Sequence, residues 1–581
     1  MNKYDELDGS TPVKRIEIRP IEITDDHIQT IQKTDSQLFR VCAYIIVNEF
    51  CERLTYYSIL GNLALYLTRE LSIESESTDF YVNIFTALVY LTPLIGGYVA
   101  DAYLGRYRTI LLFIIIYAIG ACTLSYSTFV HEYNNNESST IFVTSLLIVA
   151  LGSGGIKPNV STLGADQLEN AHVAQSIIDR YFNYFYMSIN VGAIISYTII
   201  AYICQNVSFT IGFAIPAISI IVGTLVFYSG RQAYVHIQPS GSMISLLIGI
   251  LYYSYTLRNN ASPNNHVPID AHETDNIDSS SNTATTQHTH FTDVCRASHG
   301  GPYTDSQVQD VQYLFRLMPF ISLFILYWGI YSQMNTTFFN QGCLMNLNVA
   351  GIQFPIAALN LFDAGIIIIF VPLFDFYLYP FITNTLHIKL TTLRKIGAGF
   401  IVVSLAMACA AVVEISRLHK ANNNEYIGAS VCFKGMDTDS IPQSVDMSIL
   451  YQAPQFILVG ISEVLASATS LELFYTEAPS SMKSLCSAFS LITTSLGSLL
   501  VGLLVPIVNS GSSRWITHDA NYGHLDYYWW LLSGLMVMNA VMWIYVATRY
   551  EYKATLDARL QQTTSAIELT PNNKTDNNRY N

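Results

Sequence analysis

Asn48-Glu49-Phe50-Cys51-Glu52-Arg53-Leu54-Thr55-Tyr56-Tyr57 sets three charged side chains inside what otherwise reads as a membrane-spanning helix. At helical spacing Glu49, Glu52 and Arg53 stand at i, i+3 and i+4 and share one face, which predicts an ion-pair cluster turned into a helical bundle. An ionised group held in hydrocarbon costs about 2.5–3.5 kcal/mol on insertion scales, which argues against an unpaired, lipid-facing arrangement. Intramembrane charges of this kind mark ion or substrate pathways; the alternative is a static salt bridge between helices.

Outward from this stretch, apolar runs recur along most of the chain. A bilayer core of about 30 Å needs about 20 residues of helix. Runs at 38–66, 80–103, 107–130, 139–165, 184–205, 208–229, 311–340, 355–380, 393–416, 447–475, 482–508 and 526–548 predict an all-α membrane protein of twelve spans in two six-helix halves. The expected division is a tail at 1–37, a first half at 38–229, a linker at 230–310, a second half at 311–548 and a tail at 549–581. Within the linker, Met243 to Tyr253 is too short to span and reads as a lateral helix, and 259–305, rich in Asn, Ser, Thr, Asp and His, is expected to be disordered.

Residues 1–37 contain no apolar core of the signal-peptide kind, so both termini are expected on one side. Arg106, Arg108, Arg180, Lys389, Arg394, Lys395 and Lys483 fall on that side, against Arg69, Arg417, Lys420, Lys434 and Arg514 opposite. The positive-inside rule makes the first side cytosolic, with the plasma membrane and the endolysosomal membrane both open. The net charge of −14 resides largely in the tails and around 260–310, and is a statement about solubility; no nucleic-acid partner is expected. Cys343 and Cys432 fall in two loops of the opposite side, where a disulfide and free thiols are both open. With no nucleophile–base pair, phosphate loop or zinc spacing, an enzyme, a metal and a cofactor are not expected.

Further polar elements interrupt the apolar runs. Gly152-Ser153-Gly154-Gly155-Ile156-Lys157-Pro158-Asn159-Val160 places a lysine in span four, the natural partner of Glu49 or Glu52, and Ile461-Ser462-Glu463 places a carboxylate deep in span ten. A substrate carboxylate that takes a glutamate's place beside Lys157 leaves that glutamate free to accept a proton, which couples the two. Between spans two and three, Gly96-Gly97-Tyr98-Val99-Ala100-Asp101-Ala102-Tyr103-Leu104-Gly105-Arg106-Tyr107-Arg108 forms a short basic turn. Asp101 is expected to pair there with Arg106 or Arg108 in a conformational gate, and Pro372-Leu373-Phe374-Asp375 with Arg394-Lys395 reads as its weaker counterpart.

In combination these motifs, with Phe182-Asn183-Tyr184-Phe185-Tyr186-x-x-Ile189-Asn190-x-Gly192 and Gly164-Ala165-Asp166-Gln167, resemble the proton-coupled oligopeptide transporter family of the major facilitator superfamily over about residues 38 to 553. The resemblance implies proton-driven import of di- and tripeptides, with Glu49, Glu52 and Arg53 coupling protons, and Lys157 and Glu463 binding the peptide termini. Tyr56, Tyr57, Tyr331, Gln333 and Asn190 are expected to complete the substrate site. The chain departs from the peptide carriers at Leu60, where they carry a carboxylate-gripping arginine, and at Ser332, where many carry a glutamate. Gln205-Asn206-Val207-Ser208-Phe209, Tyr327-Trp328-Gly329-Ile330-Tyr331, Asn360-Leu361-Phe362-Asp363-Ala364 and Gly460-Ile461-Ser462-Glu463 resemble the peptide/histidine branch. Glu52-Arg53-Leu54-Thr55-Tyr56-Tyr57 and Arg394-Lys395-Ile396-Gly397 are similar to plant nitrate and peptide carriers, whose nitrate-selective histidine would fall at Tyr331. The leading expectation is a monomeric proton symporter of histidine and small peptides in a lipid bilayer, ahead of a carrier of nitrate-like anions or specialised metabolites and of a substrate-binding membrane sensor.

Overall fold

The structure, a computed structural model, describes residues 25–552 apart from 134, 170–174, 240, 242, 261–289, 386, 388–389, 434–440, 480–482, 512–513 and 518. Most of both predicted tails, and most of the stretch expected to be disordered, lie outside the described residues. The first helix, α1 (Asp25–Arg69), starts well ahead of the expected residue 38. It is followed by α2 (Ser75–Leu104), α3 (Arg106–His131), α4 (Ser139–Leu168), α5 (Arg180–Asn206) and α6 (Phe209–Gln232). The stretch expected to form a lateral helix is helical, as α7 (Met243–Asn260). The second half comprises α8 (Asp305–Cys343), α9 (Ile356–Asn384), α10 (Thr392–Asn422), α11 (Ile449–Phe474), α12 (Ala488–Val508) and α13 (Leu525–Arg549). Among the described residues eleven helices are long and apolar enough to cross a membrane. With α1, whose apolar run is broken by Glu49, Glu52 and Arg53, they make the twelve spans of a major facilitator fold.

The helices are irregular where polar groups sit. In α4 the regular turns stop at Ile156 and resume at Val160, with Lys157 and Pro158 between them. In α11, the equivalent span of the second half, a wide π turn runs over Glu463–Ala468 and begins at Glu463 itself. Such turns recur at functional sites because they rotate one side chain out of the helical register. Gly105, at φ 74°, ends α2 in a conformation that suits a residue without Cβ and lets α3 start at once.

Close backbone approach holds the first half together. A Cβ on Gly96 of α2 would collide with the carbonyl of Gly154 and the backbone of Gly155 in α4. Gly96→Ala is therefore expected to destabilise the folded protein by about 1–3 kcal/mol, the range for overpacking. A lower thermal midpoint in detergent checks this, and an unchanged midpoint would refute the close-approach reading.

The two halves are latched at the end of the bundle remote from the termini. Asn340 Nδ2 donates to Asp79 Oδ2 at 2.9 Å, Asn509 Nδ2 to Glu76 Oε2 at 2.8 Å, and Ser332 Oγ to Asn83 Oδ1 at 3.1 Å. Gln205 Nε2 donates to the Phe354 carbonyl at 3.1 Å, and Gln205 Oε1 accepts from the Ile356 N–H at 3.1 Å. At the same end two short antiparallel hairpins, β1 (Asn348–Val349) with β2 (Ile352–Gln353) and β3 (Tyr426–Ala429) with β4 (Gln443–Val445), add the β structure absent from the all-α expectation. They form where loops leave the apolar spans and must satisfy their own backbone groups. A disulfide joins Cys343 and Cys432, settling the open alternative in favour of pairing.

One disorder expectation is corrected. Residues 290–305 are folded against α7: Cys295 is fully buried with its Sγ 2.9 Å from Ser254 Oγ, and Arg296 binds both Asp293 and Gln312. Polar composition did not prevent order, because these side chains pair with one another.

Candidate functional site

The charges of α1 meet Lys157 in the interior of the first half. Arg53 Nε lies 2.7 Å from Glu49 Oε1 and 2.8 Å from Glu52 Oε2, and Lys157 Nζ lies 3.6 Å from Glu52 Oε1. The four side chains, none more than 12% exposed, form a cluster of two anions and two cations. The break in α4 at Lys157 turns the ammonium toward α1, where it also stands 4.0 Å from the ring centre of Tyr56 and 5.4 Å from that of Tyr90. Cation–π contact of this kind is worth more when desolvated, as here.

On the other side of Tyr56 lies a cavity of about 200 Å³ between the two halves. The first half contributes Tyr56, Tyr57, Leu60, Tyr90, Asn190 and Tyr197; the second contributes Trp328, Tyr331, Ser332, Asn360, Asp363 and Glu463. Five expected substrate residues, Tyr56, Tyr57, Asn190, Tyr331 and Glu463, are thus brought to one chamber. Leu60 does line it, so the position where peptide carriers place an arginine is apolar here.

Two expected contacts are corrected. Gln333 is fully buried outside the chamber, donating to the Gly329 carbonyl at 3.0 Å and accepting from Thr337 Oγ1 at 2.7 Å; its neighbour Ser332 faces the chamber instead. Lys157 does not line the chamber either, being screened by Tyr56 and Tyr90. It borders a second cavity of about 230 Å³, which lies toward the end carrying the termini, with Asp101, Arg106, Pro93, Met243 and Leu485.

The gate is also rearranged. Arg106 ion-pairs with Asp166 of α4 rather than with Asp101, and Arg108 is exposed. Asp101 borders the second cavity, and its backbone carbonyl accepts from the Gly241 N–H. The reason is that Arg106 opens α3 and faces the end of α4, whereas Asp101 lies on the wide π turn that closes α2.

Residues 107–524 match the PTR2 family model, described as the POT family. The chain belongs to the POT family. POT proteins are transporters, not enzymes. The chain is 35% identical over 556 residues to the Arabidopsis thaliana Protein NRT1/ PTR FAMILY 8.3, covering 89% of this chain and 92% of that protein. Its fold is similar to that of the POT family transporter PepTSo, with a TM-score of 0.68 at 23% identity over 88% of this chain and 98% of that one. It is also similar to a POT family transporter solved with a thioalcohol-conjugated peptide, with a TM-score of 0.63 at 17% identity over 88% and 96% of the two chains.

One POT-chamber residue escaped the sequence reading. Asp363 lies in the highly apolar α9, is buried, and lines the chamber opposite the first half. An aspartate inside a span is the same signal that singled out Glu463 in α11, and by that rule it marks a functional position.

Proposed function

We propose that the protein is a proton-coupled symporter of histidine and of di- and tripeptides, working by alternating access around the central chamber. The observation that carries this reading is the adjacency of the Glu49–Arg53–Glu52–Lys157 cluster to a polar chamber between the halves, with Tyr56 as the shared wall. A chamber of about 200 Å³ admits an amino acid or a very small peptide, and lies below the roughly 300–1,000 Å³ of drug-sized sites.

In this mechanism Glu49, Glu52 and Arg53 couple the proton. Glu463 takes the substrate ammonium, and Asn190, Tyr57 and Tyr331 supply hydrogen bonds from the chamber wall. Lys157 reaches the substrate carboxylate once the ring of Tyr56 moves aside. Protonation of Glu52 weakens its pull on Lys157 and Arg53 and leaves the cluster with one net positive charge, so its ion pairs loosen and no longer oppose the rocking of the halves. Asp101, Arg106 and Arg108 gate the end carrying the termini, which face the cytosol. The latches from Glu76, Asp79, Asn83 and Gln205 release when the other end opens.

A nitrate-like anion suits this chamber poorly. Among its described lining residues there are two carboxylates, Asp363 and Glu463, and no lysine, arginine or histidine. The test is uptake of labelled histidine and of labelled Ala-Ala into proteoliposomes, with and without an acid-outside gradient. Accumulation of either compound above its external level only under the gradient is expected. Failure of both to accumulate, with the protein monodisperse and nitrate taken up instead, would overturn the reading.

A further inference from the structure

We propose that Asp363 is a specificity-determining residue that makes the chamber select substrates carrying a second positive charge, a lysine, arginine or protonated histidine side chain, beside the substrate ammonium. The inference rests on the symport reading and deepens it by naming the substrate class.

A single carboxylate suffices to hold one ammonium group, and Glu463 can supply it. The chamber holds two. Asp363 projects from α9 and Glu463 from α11, and the hydroxyl of Tyr331 lies between them, 3.4 Å from Asp363 Oδ2 and hydrogen-bonded to Glu463. A phenol has one proton to donate, so it satisfies one carboxylate at a time. Asp363 Oδ1 and Glu463 Oε2 are buried and have no hydrogen-bond partner among the described residues.

The surroundings add no positive charge. The four charges behind Tyr56 balance among themselves, and the described lining of the chamber contains no cationic side chain. Binding a zwitterion with one ammonium group leaves the second carboxylate, one oxygen of which is buried, unmatched, which is unfavourable. A second cationic group on the substrate matches it. Trp328, Tyr57, Tyr197 and Tyr331 line the same space, and their ring faces attract a cation but offer little to a neutral aliphatic side chain beyond packing. Leu60, on the same wall, is apolar and adds no charge that would repel such a substrate.

The test compares Ala-Lys with Ala-Ala on wild type, Asp363→Asn and Asp363→Glu. Dissociation constants are measured by calorimetry on detergent-purified protein, beside uptake in proteoliposomes. Wild type is expected to favour Ala-Lys by about tenfold, a typical discrimination for a single site contact. In Asp363→Asn the ratio collapses to near one, whatever happens to the affinity for Ala-Ala itself, and in Asp363→Glu it persists. A wild type without preference overturns the proposal, as does an Asp363→Asn variant that keeps the preference. Equal weakening of both peptides with the ratio intact assigns Asp363 to proton handling or packing instead. If wild type binds with the expected ratio but accumulates nothing under a gradient, the symport reading fails and the selectivity proposal stands; if it accumulates both peptides equally well, the reverse holds.

Discussion

Glu52→Gln is expected to abolish gradient-driven accumulation while leaving exchange of substrate across the membrane measurable. Glu52 is fully buried and is the one carboxylate that contacts both cations of the cluster, Arg53 at 2.8 Å and Lys157 at 3.6 Å. Glutamine keeps its shape and removes both its charge and its capacity to take up a proton. Without a titrating carboxylate between Arg53 and Lys157, moving the substrate no longer moves a proton. The driving force lost is large: one pH unit supplies about 1.36 kcal/mol per proton and 100 mV about 2.3 kcal/mol per charge. Their sum, about 3.7 kcal/mol, corresponds to accumulation of a few hundredfold at a tenfold change per 1.36 kcal/mol. Labelled histidine or Ala-Ala in proteoliposomes should therefore fall from accumulation of that order to equilibration, with counterflow against preloaded substrate continuing. Wild-type accumulation by Glu52→Gln would move coupling to another group, for which Glu49, 2.7 Å from Arg53, is the first candidate. Loss of counterflow as well would show that Glu52 is needed for the conformational cycle itself.

Much of this cluster was legible because its spacing is local. Glu49, Glu52 and Arg53 lie within one turn and a residue, so helical geometry alone puts them on one face, and Lys157 followed from the need to neutralise a buried pair. Eleven of the twelve spans were legible for a similar reason, since each is a run of apolar residues long enough to be counted. Partner choice across the fold was not. Gln333 and Ser332 differ by one position, which on a helix is about 100° of rotation, and only the packing of α8 decides which of them sees the chamber. Arg106 was expected to pair with Asp101 of its own turn, and the direction in which α3 leaves Gly105 carries it instead to Asp166, sixty residues on. The screening of Lys157 by Tyr56 and Tyr90 depends on where α2 and α4 meet α1, which spacing does not reveal. Asp363 was different: the signal was present, a carboxylate in an apolar span, but it sat inside a motif read only for its resemblance.

Arg417→Met is expected to destabilise the fold by about 3–5 kcal/mol, the cost of leaving one partner of a buried ion pair uncompensated. Arg417 of α10 is fully buried, and its guanidinium donates four hydrogen bonds from its five N–H groups. It donates to both oxygens of Glu414 at 2.8 and 2.6 Å, to Asn521 Oδ1 at 2.5 Å and to the Ala520 carbonyl at 2.9 Å. Glu414 in turn accepts from Gln341 Nε2 of α8 at 3.0 Å, and Gln341 Oε1 accepts from Gln452 and Gln455 of α11 at 2.7 and 3.2 Å. Removing Arg417 strands the Glu414 charge, so the unfolding midpoint in detergent should fall steeply. The double variant Glu414→Leu/Arg417→Met should recover part of the loss, since no buried charge is then stranded and the groups left short of a partner, Gln341 Nε2, Asn521 Oδ1 and the Ala520 carbonyl, are all neutral. An unchanged midpoint in Arg417→Met, or a double variant no better than the single, would refute a structural ion pair. The contrast with the α1 cluster separates the two uses of membrane charge in this chain. Around Arg417 four donated hydrogen bonds to three residues hold the guanidinium in one orientation, which suits a fixed brace. Lys157, 3.6 Å from its carboxylate and held otherwise by aromatic rings, is bound loosely enough to let go, as a coupling site requires.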